Sequence, residues 1–449
     1  MYLRRNIDQV LLNWSKELSR KPLLLRGARQ VGKSSAVREL SKYFDNFLEV
    51  NFEEQKQVHS LFSGDLSPKE LCENLSVFYN TQIVPGKTLL FLDEIQSCIP
   101  AISSLRFFYE KYPELHVIAA GSLLEFALSE LPSFGVGRVR SLFVYPFSFD
   151  EFLSASGEEM LIKAKQGVSA KQPLNEVIHY KLLDYLKKFL VIGGMPEVVA
   201  KYIEEGKLLE CQNILDDLII SFKADFTKYK KIVPFSRISE VFESVAQQAG
   251  GKFVFTGAAT MSNYKQIKEA LDLLIMAGLV IPVTHSSANG IPLGAESNSK
   301  KRKMLIFDTG VFQRLMGLNI SDILFEKRFE MVNKGSIAEQ YVGLELLKSS
   351  SSFQQQNLFY WQREKLNSNA EVDYLIQKQD KIIPIEVKSG KQGSMQSLFL
   401  FLKEKKSDYG IRFSLENFSV YDNIMVYPLY AVSDFVHHSG SEDNGSGII

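Results

Sequence analysis

The chain has 449 residues, and its 52 Lys and Arg are balanced by 52 Asp and Glu. This length is several domain-lengths, which argues against a single domain, and zero net charge leaves no global basic footprint, so any nucleic-acid binding must rest on local features. The three scattered cysteines (Cys72, Cys98, Cys211) make neither a metal spacing nor an even disulfide framework, the start lacks a secretory apolar core, and no uninterrupted apolar run is long enough to span a membrane; the sequence therefore predicts a cytoplasmic protein without membrane contact.

In chain order, the first 145 residues alternate apolar strand candidates with helical stretches, the pattern of a parallel sheet covered on both faces. The candidate strands are Leu23–Leu25, Leu48–Phe52, Leu89–Leu92, Val117–Ala120 and Val139–Tyr145. The first runs into Gly27-Ala28-Arg29-Gln30-Val31-Gly32-Lys33-Ser34, followed by a helix-period segment from Ser35 to Phe44. A strand, a G-x-x-x-x-G-K-[ST] loop and a helix form a phosphate loop: glycines let backbone N–H groups and the positive helix end face the phosphates. Residues Gly27 to Ser35 are thus candidate ATP contacts, with Lys33 on the β/γ oxygens and Ser34 on Mg²⁺.

The apolar run Thr88–Leu92 ends in Asp93-Glu94. Asp93 is the candidate partner of Mg²⁺ through water, and Glu94 the candidate base for an attacking water, which points to hydrolysis rather than transfer. The strand Leu48–Phe52 falls between loop and acids in sequence, which suits the additional-strand class of such ATPases. The fourth strand ends at Ala120-Gly121-Ser122; Ser122 is either a sensor of the γ-phosphate or a plain helix N-cap.

Residues 146–205 read as helical, interrupted by Gly193-Gly194-Met195-Pro196, and suggest a lid on the ATPase. Residues 206–304 are helix-rich and close in a helix, glycine stop and strand (Tyr264–Ile281), the look of a winged helix; Ser286–Lys303 reads as a mobile polar hairpin or linker. Two basic clusters, Lys223–Lys231 and Lys300–Lys303, read as solvated faces or loops.

In residues 305–436 the helix candidate Gly335–Leu347 carries Glu339, and two strands flank a polar turn at Gln379-Asp380. A turn centred there sets Asp373 opposite Glu386, with Lys388 on the same strand face as Glu386. Two neighbouring carboxylates call for a cation between them, Mg²⁺ or Mn²⁺, and a lysine beside the metal could activate water. The competing reading is a salt-bridged exposed hairpin. Residues 437–449 have the composition of a disordered tail.

These motifs, with Tyr145-Pro146-Phe147-Ser148-Phe149-Asp150-Glu151-Phe152, Phe307-Asp308-Thr309-Gly310 and Ile385-Glu386-Val387-Lys388, resemble the family of bacterial and archaeal ATPases that join an AAA-type ATPase to a carboxy-terminal domain of unknown function (DUF4143) related to PD-(D/E)xK nucleases. The resemblance implies an α/β chain with a phosphate-loop ATPase parallel sheet, a helical lid, a winged-helix middle domain and a PD-(D/E)xK nuclease-like end. It also implies Glu339, Asp373, Glu386 and Lys388 as the metal-site set. Such ATPases can place an arginine before the fifth strand against a neighbour's γ-phosphate, which makes Arg138, ahead of Arg140, the candidate finger; a finger acting in trans requires a homo-oligomer. Together these expectations describe an ATP-hydrolysing switch coupled to a nuclease-like, DNA-directed domain. The alternative is a regulatory ATPase whose nuclease-like domain is inactive and only binds protein or nucleic acid.

Overall fold

The computed structural model describes residues 1–64, 67–130, 137–226, 233–258, 263–319, 334–365, 368–390 and 394–437. The expected tail (437–449) lies outside them except for His437, as does much of the Lys223–Lys231 cluster. The described residues form two compact units. One comprises 1–146 with 276–279 and 351–355; the other holds the rest.

The first unit is built on five parallel strands: β1 (Leu23–Arg26), β2 (Asn46–Asn51), β3 (Thr88–Asp93), β4 (His116–Ala120) and β5 (Arg140–Phe143), in the order β2-β3-β4-β1-β5. Every residue of β3 and β4 is buried, whereas the outer strands β2 and β5 bury only part of theirs. This is why the inner strands are continuous apolar runs and the outer ones are mixed. All five strands sit where periodicity put them. In space, however, the strand between the phosphate-loop strand and the Asp93 strand is β4, while β2 takes the outer position. Around the sheet lie α1 (Asn6–Ser15), α2 (Lys33–Ser41), α3 (Pro68–Tyr79), α4 (Ile99–Lys111) and α5 (Leu124–Glu130). Leu24, Val50, Phe52, Leu90 and Leu92 of the strand region pack with Leu71, Leu75, Leu105 and Phe108 of α3 and α4 in one core.

The second unit opens with α6 (Phe149–Ala155), α7 (Glu159–Gln166), α8 (Glu176–Ile192), α9 (Pro196–Glu205), α10 (Leu208–Asp225), α11 (Phe235–Gln247) and α12 (Tyr264–Met276). Ser148 and Glu151 make a reciprocal capping box at the start of α6, with N–H···O distances of 3.2 and 2.8 Å. The helices expected as a lid on the ATPase are grouped with this unit. Their polar groups find partners there: the Phe149 N–H donates to Glu345 (3.1 Å) and His179 Nδ1 meets the Tyr430 hydroxyl (2.8 Å).

The remaining elements are β6 (Val280–Ser286), β7 (Ser297–Ile306), α13 (Thr309–Leu315), α14 (Lys334–Lys348), β8 (Leu358–Gln362), β9 (Glu371–Lys378), β10 (Lys381–Val387), α15 (Gln396–Lys405), β11 (Gly410–Ser414), β12 (Ser419–Tyr421), β13 (Ile424–Pro428) and α16 (Val432–His437). Their strands form one eight-stranded sheet, ordered β12-β13-β11-β10-β9-β8-β6-β7. The segment expected as a mobile hairpin or linker is an antiparallel hairpin, with β6 also hydrogen-bonded to β8 in parallel. The border expected at 304 falls inside β7. The Lys300–Lys303 cluster is not a uniformly solvated face, because Lys303 is buried.

Two motifs of the sequence meet in this unit. Asp308 caps α13 by accepting from the Val311 N–H (3.0 Å) and also takes the Gly194 N–H (2.6 Å). A Cβ on Gly310 would collide with the Ile192 carbonyl, so close backbone approach explains the glycine.

Lys165 of α7 is fully buried, 2.9 Å from Asp150 of α6 and 2.7 Å from Asp434 of α16. Removing one member of a buried ion group strands the others. Lys165→Met is expected to destabilise the second unit by about 3–5 kcal/mol, read as a lowered urea midpoint with an unchanged slope.

Candidate functional site

The phosphate loop links the end of β1 to α2. Gly27 has φ 143°, a value that side-chain-bearing residues rarely adopt, and a Cβ there would strike the Val144 carbonyl. Gln30 (φ 64°) and Gly32 (φ 92°) also turn the chain through the left-handed region, so the loop wraps before α2 begins at Lys33. Arg5 braces it, donating to the Val31 carbonyl (3.1 Å) and to the Tyr145 carbonyl beyond β5 (2.9 Å). This contact spans distant positions and has no local sequence signature.

Lys33 is buried and donates to the carbonyls of Gly27 (2.9 Å) and Ala28 (2.8 Å). Burial pulls its pKa down to about 8, opposed by the charges of Glu94 and Asp93. Ser34 Oγ donates to Asp93 Oδ2 at 2.9 Å. Asp93 is pushed up by burial, with the Ser34 hydrogen bond working against that. A hydroxyl and a carboxylate side by side at the strand ends are hard oxygen donors suited to Mg²⁺, and they fit the ion that a phosphate loop implies.

Glu94 follows with φ 50°. Its backbone N–H donates to Asp93 Oδ1 (3.0 Å), and its Oε2 accepts from Gln96 Nε2 (2.6 Å) and more loosely from Ser122 Oγ (3.3 Å). Ser122, read from sequence as a sensor or an N-cap, thus reaches the candidate base. Gln96 is a positioning residue that sequence reasoning left without a role. The loop from Gly27 to Ser35, Asp93, Glu94 and Ser122 converge at the carboxyl ends of β1, β3 and β4, the usual ligand edge of an open parallel sheet. Arg138 does not join them: it precedes β5, whose start pairs with the start of β1, and it lies 2.6 Å from Glu110.

The second constellation lies in the other unit. The β9–β10 hairpin pairs Lys381 with Lys378 and Ile385 with Tyr374, so Asp373 and Glu386 follow as the next opposed positions. Asp373 Oδ2 accepts from the Val387 N–H (2.8 Å), and Lys388 Nζ is 2.5 Å from Glu386. Glu339 of α14 is brought to the same place, its carbonyl accepting from the Tyr374 hydroxyl (2.8 Å).

A residue that sequence reasoning missed is also there. Lys303 of β7, 1% exposed, holds Glu339 at 2.8 Å, forms an ion pair with Glu371, and lies 3.7 Å from Asp373. Burial alone would lower the pKa of Lys303, but Glu339, Asp373 and Glu371 hold it above its ordinary value. Burial pushes Glu339 up to about 8 despite Lys303, and Glu386 up to about 7 with help from Asp373 and against Lys388. Among the described residues no three His, Cys, Asp or Glu side chains are arranged to hold a metal ion. Of the expected set, Glu339 and Asp373 are brought together around the Lys303 ammonium, while Glu386, opposite Asp373 on the hairpin, is paired with Lys388.

Three family models match the chain: an AAA domain at residues 19–153, a domain of unknown function (DUF8612) at 183–322, and another (DUF4143) at 334–432. A phosphate-loop AAA domain and a DUF4143 domain are both present. An uncharacterized protein of Methanocaldococcus jannaschii is 23% identical over 372 residues, covering 82% of this chain and 74% of its own. The Walker-type ATPase of Pyrococcus abyssi is 14% identical, covering 70% of this chain and 96% of its own, with a TM-score of 0.47. The ORC1 protein of Aeropyrum pernix, solved in complex with DNA, is 12% identical, covering 72% and 93%, with a TM-score of 0.27. No described helix is long and apolar enough to cross a membrane.

Replacing Gln96 by Leu removes the 2.6 Å donor to Glu94. The expected result is a fall in ATP turnover of about tenfold with nucleotide affinity unchanged, measured by steady-state phosphate release beside equilibrium binding of a fluorescent ATP analogue.

Proposed function

We propose that this chain is an ATP-binding and ATP-hydrolysing switch coupled to a nuclease-like, DNA-directed domain. The observation that carries the first half is the 2.9 Å contact between Ser34 and Asp93 with Glu94 adjoining. The loop N–H groups and Lys33 would neutralise the β/γ phosphates. Mg²⁺, bound by Ser34 and with Asp93 beside it, would supply further charge neutralisation on the phosphate oxygens. Glu94, aimed by Gln96 and Ser122, takes the proton of the attacking water. Ser122 is suited to report the γ-phosphate because it already touches that carboxylate. Arg138 is kept as a finger only for a neighbouring copy, since its own sheet holds it at the opposite strand ends.

The second half rests on α14, β8, β9, β10, α15 and β11 in that order, three antiparallel strands, a crossover helix and a parallel fourth strand, with Glu339, Asp373, Glu386 and Lys388 gathered on them. That arrangement supports the nuclease-like reading and, with it, DNA as the partner class. Helices α10 to α12 followed by the β6–β7 hairpin support a winged-helix reading of the middle segment. The ammonium of Lys303 among the acids favours the alternative for the carboxy-terminal domain, in which it binds without cutting.

Glu94→Gln is expected to keep ATP affinity and lower turnover by about 10²–10⁴-fold, and Lys33→Ala to lose nucleotide binding. Binding titrations paired with phosphate release check both; turnover unaffected by Glu94→Gln would remove Glu94 as the base. Labelled single- and double-stranded DNA incubated with Mn²⁺, with and without ATP, tests the second half. Cleavage lost in Glu386→Ala supports an active nuclease, and intact DNA beside normal ATP turnover supports the binding-only domain.

A further inference from the structure

We propose that the ammonium of Lys303 is the resident cation of the acidic cluster of Glu339, Glu371 and Asp373, taking the place a divalent metal ion would occupy, so that the cluster neither takes up such an ion nor supports metal-dependent phosphodiester cleavage. The inference rests on the nuclease-like reading of α14, β9 and β10.

Closely packed carboxylates do not persist without compensating charge. A metal ion is one source of it, and an ammonium with three N–H donors is another. Lys303 aims its Nζ at three carboxylates from two elements: Glu339 at 2.8 Å, Glu371 in an ion pair, and Asp373 at 3.7 Å. The same nitrogen lies 5.3 Å from the centre of the Tyr360 ring, a second attraction for a cation. Asp373 Oδ2 accepts the Val387 N–H and Glu386 Oε1 is held by Lys388 at 2.5 Å, while Glu386 Oε2 is buried without a hydrogen-bond partner among the described residues. A divalent ion would have to enter against a buried positive charge a few ångströms away, where like charges repel strongly.

Lys303 is also unable to leave cheaply. Its strand is laddered on β6 with Lys303 opposite Val283, and the Arg302 carbonyl beside it accepts from the Phe253 N–H at 2.9 Å. Retracting the ammonium would require peeling β7 or leaving Glu339, itself nearly buried, without a partner. Lys303 is moreover distinct from the lysine of the Glu386-Val387-Lys388 triplet, which stands at its own position next to Glu386. Beside the lysine expected of a nuclease-like site, paired with Glu386, the fold thus adds a second one among Glu339, Glu371 and Asp373.

The test uses the full chain without nucleotide, carrying Asp93→Asn to silence metal at the phosphate loop, and follows Mn²⁺ binding by electron paramagnetic resonance. With Lys303 present, no Mn²⁺ site that depends on Asp373 is expected. Lys303→Met should gain one bound Mn²⁺ per chain, and adding Asp373→Asn should abolish it. An Asp373-dependent Mn²⁺ site in the chain that keeps Lys303 overturns the proposal while leaving the nuclease-like reading standing. No bound Mn²⁺ in a folded Lys303→Met chain overturns both. If Lys303→Met does not fold alone, recovery of the folded state with Mn²⁺ but not with Na⁺ is the supporting result, and failure of both ions to restore it is the opposing one.

Discussion

In the first unit, β4 separates the strand that delivers the phosphate loop from the strand that delivers the acids, and the Ser34–Asp93 hydrogen bond spans that gap. Much of the site follows from it. With Asp93 Oδ2 engaged by Ser34, Oδ1 is left to take the Glu94 N–H, which suits the left-handed turn at Glu94. That turn sends the Glu94 side chain toward Gln96 and Ser122 rather than into solvent. A chemically ordinary carboxylate thus acquires direction from a backbone conformation, and the conformation from a hydroxyl two strands away.

What the sequence made legible is what short-range pattern determines. The phosphate loop, the apolar inner strands and the Asp93-Glu94 pair all declare themselves within a few residues, because burial on both faces of a parallel strand leaves an unbroken apolar run. The β9–β10 register was legible for the same reason: a two-residue turn fixes which positions oppose, and Gln379 (φ 55°) makes that turn. Asp373 and Glu386 could be paired on paper without knowing anything beyond the hairpin.

The rest depends on long-range pairing that local composition hides. Lys303 sits in a run of four basic residues, Lys300 to Lys303, and such a run looks solvated. Its partners lie on α14 and β9, dozens of residues later, so only the folded sheet reveals which member of the run turns inward. The helices of residues 149–205 follow the ATPase in sequence, a position that suggests a lid, and their buried polar groups find partners in Glu345, Tyr430 and Asp434 of the second unit. Gln96 and Arg5 escaped notice because a side-chain amide and a lone arginine have no spacing signature.

The parallel pairing of β6 with β8 joins the middle of the chain to its carboxy-terminal part in a single sheet. A fragment cut to residues 334–432 would lose β6 and β7 and so present β8 with a bare row of backbone donors and acceptors, a template for association with other copies. It would also lose Lys303, leaving Glu339, Glu371 and Asp373 to repel one another without their ammonium. The recognised carboxy-terminal domain is thus a unit of sequence matching but not of physical autonomy. Recombination that moved it intact to another ATPase would have to carry the preceding hairpin along.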